Sequence, residues 1–128
     1  MTNRKNISTG TKWEDIVGYS RAVVFGNQIE ISGTVAVDDE GKVVGVNDPF
    51  QQTQFILNKI KKVLTGAGFL IDDVIRTRIY VTDISQWEQV AKAHGEVFNS
   101  IKPATSMIEI SALISPEYLV EIEVTALK

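Results

Sequence analysis

Cysteine is absent from this 128-residue sequence, and histidine occurs once, at position 94. The first absence excludes disulfide frameworks, cysteine-ligated zinc and thiol nucleophiles. The second leaves no multi-histidine metal site and no persuasive serine triad, and no G-x-S-x-G elbow is present. No apolar run approaches the roughly 18 residues that span a bilayer. The N-terminal MTNRKNISTG lacks the apolar stretch of a signal peptide. Neither sign of charge dominates: thirteen Lys and Arg against sixteen Asp and Glu give a net −3. A mildly acidic chain without a basic stripe is a poor partner for nucleic acid. Low-complexity segments and internal repeats are missing too. The expectation is one cytoplasmic domain, residues 1–128, whose 44% hydrophobic content supports a real core.

Two helices are the clearest elements. Asp48 is placed to cap the first, Pro49 suits its first turn, and Gln51 stands three residues after the cap. Ile56, Leu57, Ile60, Val63, Leu64 and Ala67 recur at helical spacing, and Gly66 and Gly68 end the run. The second helix is expected from Ser85, with Glu88 completing a capping box. Its apolar stripe is Trp87, Val90, Ala91, His94, Val97, Phe98 and Ile101, and Pro103 stops it.

The remaining segments alternate as strands do. Tyr19 to Phe25 and Gln28 to Ser32 flank the Gly26-Asn27 turn, and Asp38 to Gly41 reads as a second hairpin turn. Ile75, Thr77, Ile79 and Val81 point one way, with Arg76, Arg78 and Tyr80 opposite. Ile108 and Ile110 oppose Thr105, Met107, Glu109 and Ser111. Val120, Ile122 and Val124 oppose Glu121 and Glu123. The pattern predicts an α+β, two-layer domain, with both helices on one face of a mixed sheet. The other face is charged. Either it is solvated, with Arg and Glu pairing across strands, or it lines an interface between subunits.

Few motifs carry chemistry. Gly66-Ala67-Gly68 follows a helix rather than a strand, so it reads as a helix end and not a phosphate loop. Lys59, Lys61 and Lys62 read as a solvated helix face. Asp38 to Gly41 lacks calcium-loop spacing. His94 is either a general base or a core-edge histidine with a hydrogen-bond partner. Glu121 and Glu123 share a strand face and can raise each other's pKa, or can pair with Arg76 and Arg78. No metal or other cofactor is expected.

Beyond this reading, Pro103-Ala104-Thr105-Ser106-Met107-Ile108-Glu109-Ile110, followed by Val120-Glu121-Ile122-Glu123, resembles the signature of the Rid (reactive intermediate deaminase) family. That family is also called YjgF or L-PSP endoribonuclease-like. Tyr19, Gly26-Asn27, Ser32-Gly33, Gly66-Ala67-Gly68 and Val74 through Asp83 match the rest of its pattern. The resemblance implies a chorismate-mutase-like fold, a homotrimer and ligand clefts between subunits. It also implies hydrolysis of imines and enamines, such as 2-aminoacrylate, to ketoacids and ammonia. Glu121 matches the glutamate that positions water, and Tyr19, Ser32 and Gly33 match cleft-lining positions. Thr105, followed by Ser106 and Met107, stands where the family's carboxylate-binding arginine is found. One hydroxyl cannot replace a bidentate guanidinium. Arg21, two residues from Tyr19, is then either a relocated anion anchor or a partner for a surface carboxylate. The ligand expected is a small carbonyl- or imine-type metabolite. A non-catalytic, ligand-binding or chaperone-like trimer is the alternative, and endoribonuclease activity fits the acidic charge poorly.

Overall fold

In the computed structural model, which describes residues 3–128, strands and helices follow one another along the chain. They are β1 (Arg4–Ile7), α1 (Lys12–Val17), β2 (Ala22–Phe25), β3 (Gln28–Thr34), α2 (Pro49–Gly66), β4 (Val74–Val81), α3 (Trp87–Phe98), β5 (Ala104–Glu109) and β6 (Val120–Leu127). The strands form one mixed sheet in the order β1-β2-β3-β6-β4-β5. Among the described strands only β4 and β5, joined through α3, run parallel. The last strand, β6, lies between β3 and β4 and is antiparallel to both.

Helix α2 forms for the reasons its sequence states. The Asp48 carboxylate accepts from the Gln51 backbone N–H at 3.0 Å, and Pro49 occupies the first turn. Its end is a glycine-dependent reversal: Gly68 has φ +84°, and Phe69 N–H returns to the Leu64 carbonyl at 2.9 Å. Ile56, Leu57, Ile60 and Leu64 bury against the sheet, together with Val90 and Phe98 of α3. Across from them lie Ile29, Ile31, Ile79, Val81, Ile122 and Val124. Each such side chain stabilises the fold by about 1.5–3 kcal/mol. The α+β, two-layer architecture is therefore as the pattern predicted, and no described helix is long and apolar enough to cross a membrane.

One buried polar residue fastens the layers. The Gln52 amide donates to the Gly45 and Glu117 carbonyls, both at 3.0 Å, and accepts from the Leu119 N–H at 2.9 Å. It thereby joins α2 to the loop that enters β6. All its bonds are made, so burial costs little.

Several local expectations are corrected. The polar leader contains β1, which pairs with β2, and α1. Tyr19 and Arg21 precede β2, which starts at Ala22. The second hairpin reduces to a single bridge, Val37 to Val43. A register irregularity between Val74 and Arg76 puts Val74 in the core and leaves Ile75 49% exposed. Helix α3 starts at Trp87 rather than Ser85. Asp83 takes the Ser85 N–H and hydroxyl in a preceding turn, and Trp87 is half exposed. The faces of β5 are reversed: Thr105 lies beside buried Thr77, and Met107 packs on the core, while Ile108 is exposed. Period-two alternation alone is symmetric, so it cannot say which set turns inward on an edge strand.

The irregularity in β4 has a measurable consequence. Ile79→Val should cost about 0.5–1.5 kcal/mol in urea denaturation, as for a buried methylene. Ile75→Val should stay within about 0.5 kcal/mol. Equal losses would return Ile75 to the core.

Candidate functional site

The residues singled out in the sequence fall into two groups, on opposite faces of the sheet. The first group surrounds Gly33. Between Ile31 and Thr34 the pairing of β3 with β6 shifts register, so Ser32-Gly33 bulges opposite Glu123, and the side chain of Glu121, two residues earlier on β6, lies against Gly33. A Cβ on Gly33 would lie 2.7 Å from the Glu121 carboxyl carbon. Glycine is therefore what lets the carboxylate rest against the β3 backbone.

The segment before β2 closes the other side of this bulge. Ser32 N–H donates to the Arg21 carbonyl at 3.0 Å, and its hydroxyl donates to the Ser20 carbonyl at 2.7 Å. The Arg21 guanidinium donates through Nη2 to the Gly33 carbonyl at 2.6 Å and lies 5.9 Å from the centre of the Tyr19 ring. Its Nε is buried without a partner, and among the described residues it forms no ion pair with a carboxylate. The surface-pairing alternative for Arg21 is thus corrected. Burial holds Arg21 below its usual pKa, opposed by the fields of Tyr19, Glu14 and Glu121.

Glu121 and Glu123 differ although they share a face. Glu123 accepts from the Tyr80 hydroxyl at 3.1 Å and pairs with Arg78 at 3.8 Å. Among the described residues Glu121 accepts no hydrogen bond. Burial pushes its pKa up, Arg21 pulls it back, and Glu123 adds to the rise. Arg76, expected to pair with these glutamates, donates instead to Ser106 at 2.9 Å, on the same open face.

Two neighbours of this cluster were not legible as such. Lys59, expected on a solvated helix face, turns inward and donates to the Val37 carbonyl at 2.9 Å. Burial, then the nearby Arg21 charge, lowers its pKa. Glu14 on α1 accepts from the Thr9 N–H, the Thr9 hydroxyl and the Thr11 hydroxyl at 3.2, 2.7 and 3.1 Å. It is sealed by its own turn at the periphery. Burial would raise its pKa, but hydrogen bonds from Thr9, Ser8 and Thr11 prevail and hold it at about 2. Its backbone carbonyl receives the Tyr19 N–H at 3.0 Å, so this turn sets where Tyr19 and Arg21 begin.

The second group lies under the helices. His94 Nε2 is 2.9 Å from the Thr77 hydroxyl, which is 2.8 Å from the Thr105 hydroxyl. His94 also packs on Phe98, with ring centroids 4.7 Å apart, and burial lowers its pKa. The core-edge reading of His94 therefore holds. Thr105 and Glu121 do not meet within one chain. Among the described residues no cluster of His, Asp and Glu is assembled to hold a metal.

Two outcomes follow from this geometry. Gly33→Ala should fold, because the end of the Glu121 side chain can swing aside, yet the Glu121 carboxyl resonance should titrate at a changed pH by carbon NMR. Glu14→Gln should lose about 1–3 kcal/mol at neutral pH. Because the folded pKa of Glu14 lies below its ordinary 4.5, that contribution is complete above 4.5 and fades as pH falls toward 2. The gap between wild type and variant in thermal melts should narrow accordingly.

Comparison with known proteins gives the same answer in sequence and in shape. The family model described as Endoribonuclease L-PSP matches residues 9–128. A RutC family protein of Pyrococcus horikoshii is 33% identical, over 86% of each chain. A crystal structure from Mycobacterium tuberculosis, described as a member of the YjgF family, superposes with a TM-score of 0.87 at 44% identity, covering 98% of this chain and 99% of that one. A Rid family protein of unknown function from Yersinia pestis superposes at 0.85 with 35% identity, over 98% and 99% of the two chains. The Gly33 bulge, the glutamate resting on it and the strand order thus sit in a chain that belongs to the Rid/YjgF, L-PSP family.

Proposed function

We propose that this protein is a homotrimeric hydrolase that deaminates a small imine or enamine bearing a carboxylate. The observation that carries the reading is Glu121: a half-buried carboxylate with raised pKa, resting on Gly33, to which no described residue donates. Its neighbour Glu123 is engaged with Tyr80 and Arg78 and has no comparable freedom. Glu121 takes a proton from water as the oxygen attacks the imine carbon. It returns that proton to the nitrogen, and the carbinolamine so formed passes its hydroxyl proton to the amine as the C–N bond breaks, which leaves a carbonyl and ammonia. Arg21 is the anchor for the substrate carboxylate, because no carboxylate among the described residues pairs with its guanidinium. Tyr19, Ser32 and Lys59 shape and charge the surroundings.

Thr105 and Glu121 stand on opposite faces, so one ligand touches both only where copies of the chain meet. This favours a cleft between subunits, with Thr105, Ser106 and Met107 supplied by a neighbouring copy. Closed threefold symmetry then repeats the cleft three times. Light scattering should give three times the chain mass at micromolar concentration; a monomer overturns the assembly.

The presence of Thr105 where the family carries arginine favours a second reading, a trimer that binds such ligands without turnover. Ammonia release from 2-aminoacrylate and imines of other small 2-oxo acids separates the two. Glu121→Gln should lower the rate at least about 100-fold, whereas Glu123→Gln should stay within a few-fold. The wild-type rate should rise with pH through a pKa above the usual carboxylate range, because Glu121 works deprotonated and burial raises it. Arg21→Ala should weaken binding of small carboxylates about ten- to a few hundred-fold. Binding without ammonia release selects the non-catalytic reading, and an unchanged Arg21→Ala refutes the anchor.

A further inference from the structure

The hydrogen bonds under the helices form a line with a direction. Thr105 is exposed on the edge strand β5, Thr77 is fully buried on β4, and His94 is on α3. The line runs from His94 Nε2 to the Thr77 hydroxyl at 2.9 Å, then to the Thr105 hydroxyl at 2.8 Å. From there the Thr105 hydroxyl reaches the Pro103 carbonyl at 3.1 Å. A hydroxyl has one proton, so each link constrains the next.

When Nε2 carries a proton, it donates to Thr77. Thr77 has no other partner among the described residues, so its own proton goes to Thr105. The Thr105 proton is then directed outward, to Pro103 or to a ligand. When Nε2 is bare, it accepts from Thr77, and Thr77 in turn accepts from Thr105. Thr105 then presents only lone pairs outward. A third arrangement, with Thr77 donating to His94 and Thr105 donating to Pro103, leaves two oxygens 2.8 Å apart with no proton between them. That contact is repulsive, which is what couples the two ends.

We infer that His94 is a positioning residue, which sets through Thr77 whether Thr105 offers a proton or a lone pair to a ligand beside β5. With Nε2 protonated, Thr105 selects a carboxylate or carbonyl oxygen. With Nε2 bare, it selects an N–H or O–H group. The inference rests on the proposed ligand cleft only for what Thr105 meets; the line itself needs no ligand. The surroundings favour such control. His94 faces Thr77 from β4 and Phe98 from its own helix, and burial is the sole cause of its lowered pKa. The nearest charged residues on α3 are turned to α2: Lys92 lies over the Phe50 ring, and Glu96 accepts from Gln54.

The chain's single histidine makes the test direct, since its imidazole nitrogen NMR signals need no assignment among several. Thr105→Val removes, at an exposed position, a hydroxyl whose hydrogen bonds go to Thr77 and Pro103 and not to His94. With no acceptor beyond Thr77, the protonated imidazole loses support. The His94 pKa should fall further, and the neutral ring should shift toward the tautomer with its proton on Nδ1. Thr105→Ser keeps the hydroxyl and should restore both. An unchanged titration and tautomer ratio in Thr105→Val overturns the inference, as does failure of Thr105→Ser to restore them. Neither readout uses a substrate, so failure of the deaminase reading would leave this measurement intact.

Discussion

The insertion of β6 between β3 and β4 is the pairing on which the rest of the molecule depends. Those two neighbours are separated in the chain by α2, and β6 arrives only at the C-terminus. Without it β3 and β4 have no mutual hydrogen bonds, and the helix layer has no continuous surface to cover. The apolar side of β6 (Val120, Ile122, Val124 and Ala126) is fully buried and supplies the middle of the core. The strand is held in place from both layers. Its edges bond to β3 and β4, and Gln52 of α2 fixes Leu119 just before it. Because side chains alternate, a strand buried on one side must present Glu121 and Glu123 on the other. The central position of the two carboxylates is therefore a consequence of core packing.

The separate states of those carboxylates come from their flanking strands. Glu123 stands opposite Arg78 and within reach of Tyr80, which satisfy it. Glu121 stands against the β3 bulge, where Gly33 contributes no side chain and its carbonyl is already taken by Arg21. One carboxylate becomes part of a network. Its neighbour is partly desolvated and accepts from none of the described residues. Arg21 is the counterpart: its charge is held at the bulge by a backbone carbonyl, so it carries a net field toward Glu121 without neutralising it through contact. A bulge that disrupts one sheet pairing thus creates a place where opposite charges are near but unsatisfied.

The sheet also separates two kinds of chemistry. On the open face lie ionic groups whose behaviour is governed by burial and Coulomb interaction. On the covered face lies a neutral chain of hydroxyls ending at an imidazole, governed by proton direction. Thr77 belongs to the core by position and to that chain by chemistry, which explains a fully buried hydroxyl amid aliphatic neighbours. Thr105 is consequently not an isolated surface hydroxyl. Thr105 is held by the protein on one side and faces outward on the other.

Amino-acid order by itself determined the two-layer class, the span and caps of α2, the apolar stripe from Ile56 to Leu64, and the shared face of Glu121 and Glu123. Each of these depends on spacing along one element, and such periodicities survive in any tertiary context. The family signature was legible for the same reason, as an ordered series of short segments. Tertiary structure alone decided the central place of β6, because strand order is a matter of long-range pairing. It decided the inward turn of Thr105, since an edge strand with apolar residues on both sides carries no internal sign of which faces the core. It turned Lys59 inward and gave His94 its partner, both by meeting elements distant in sequence. It also separated Glu121 from Glu123: Glu123 meets Tyr80 and Arg78, whereas the Glu121 carboxylate rests on Gly33 near Arg21, where burial raises its pKa.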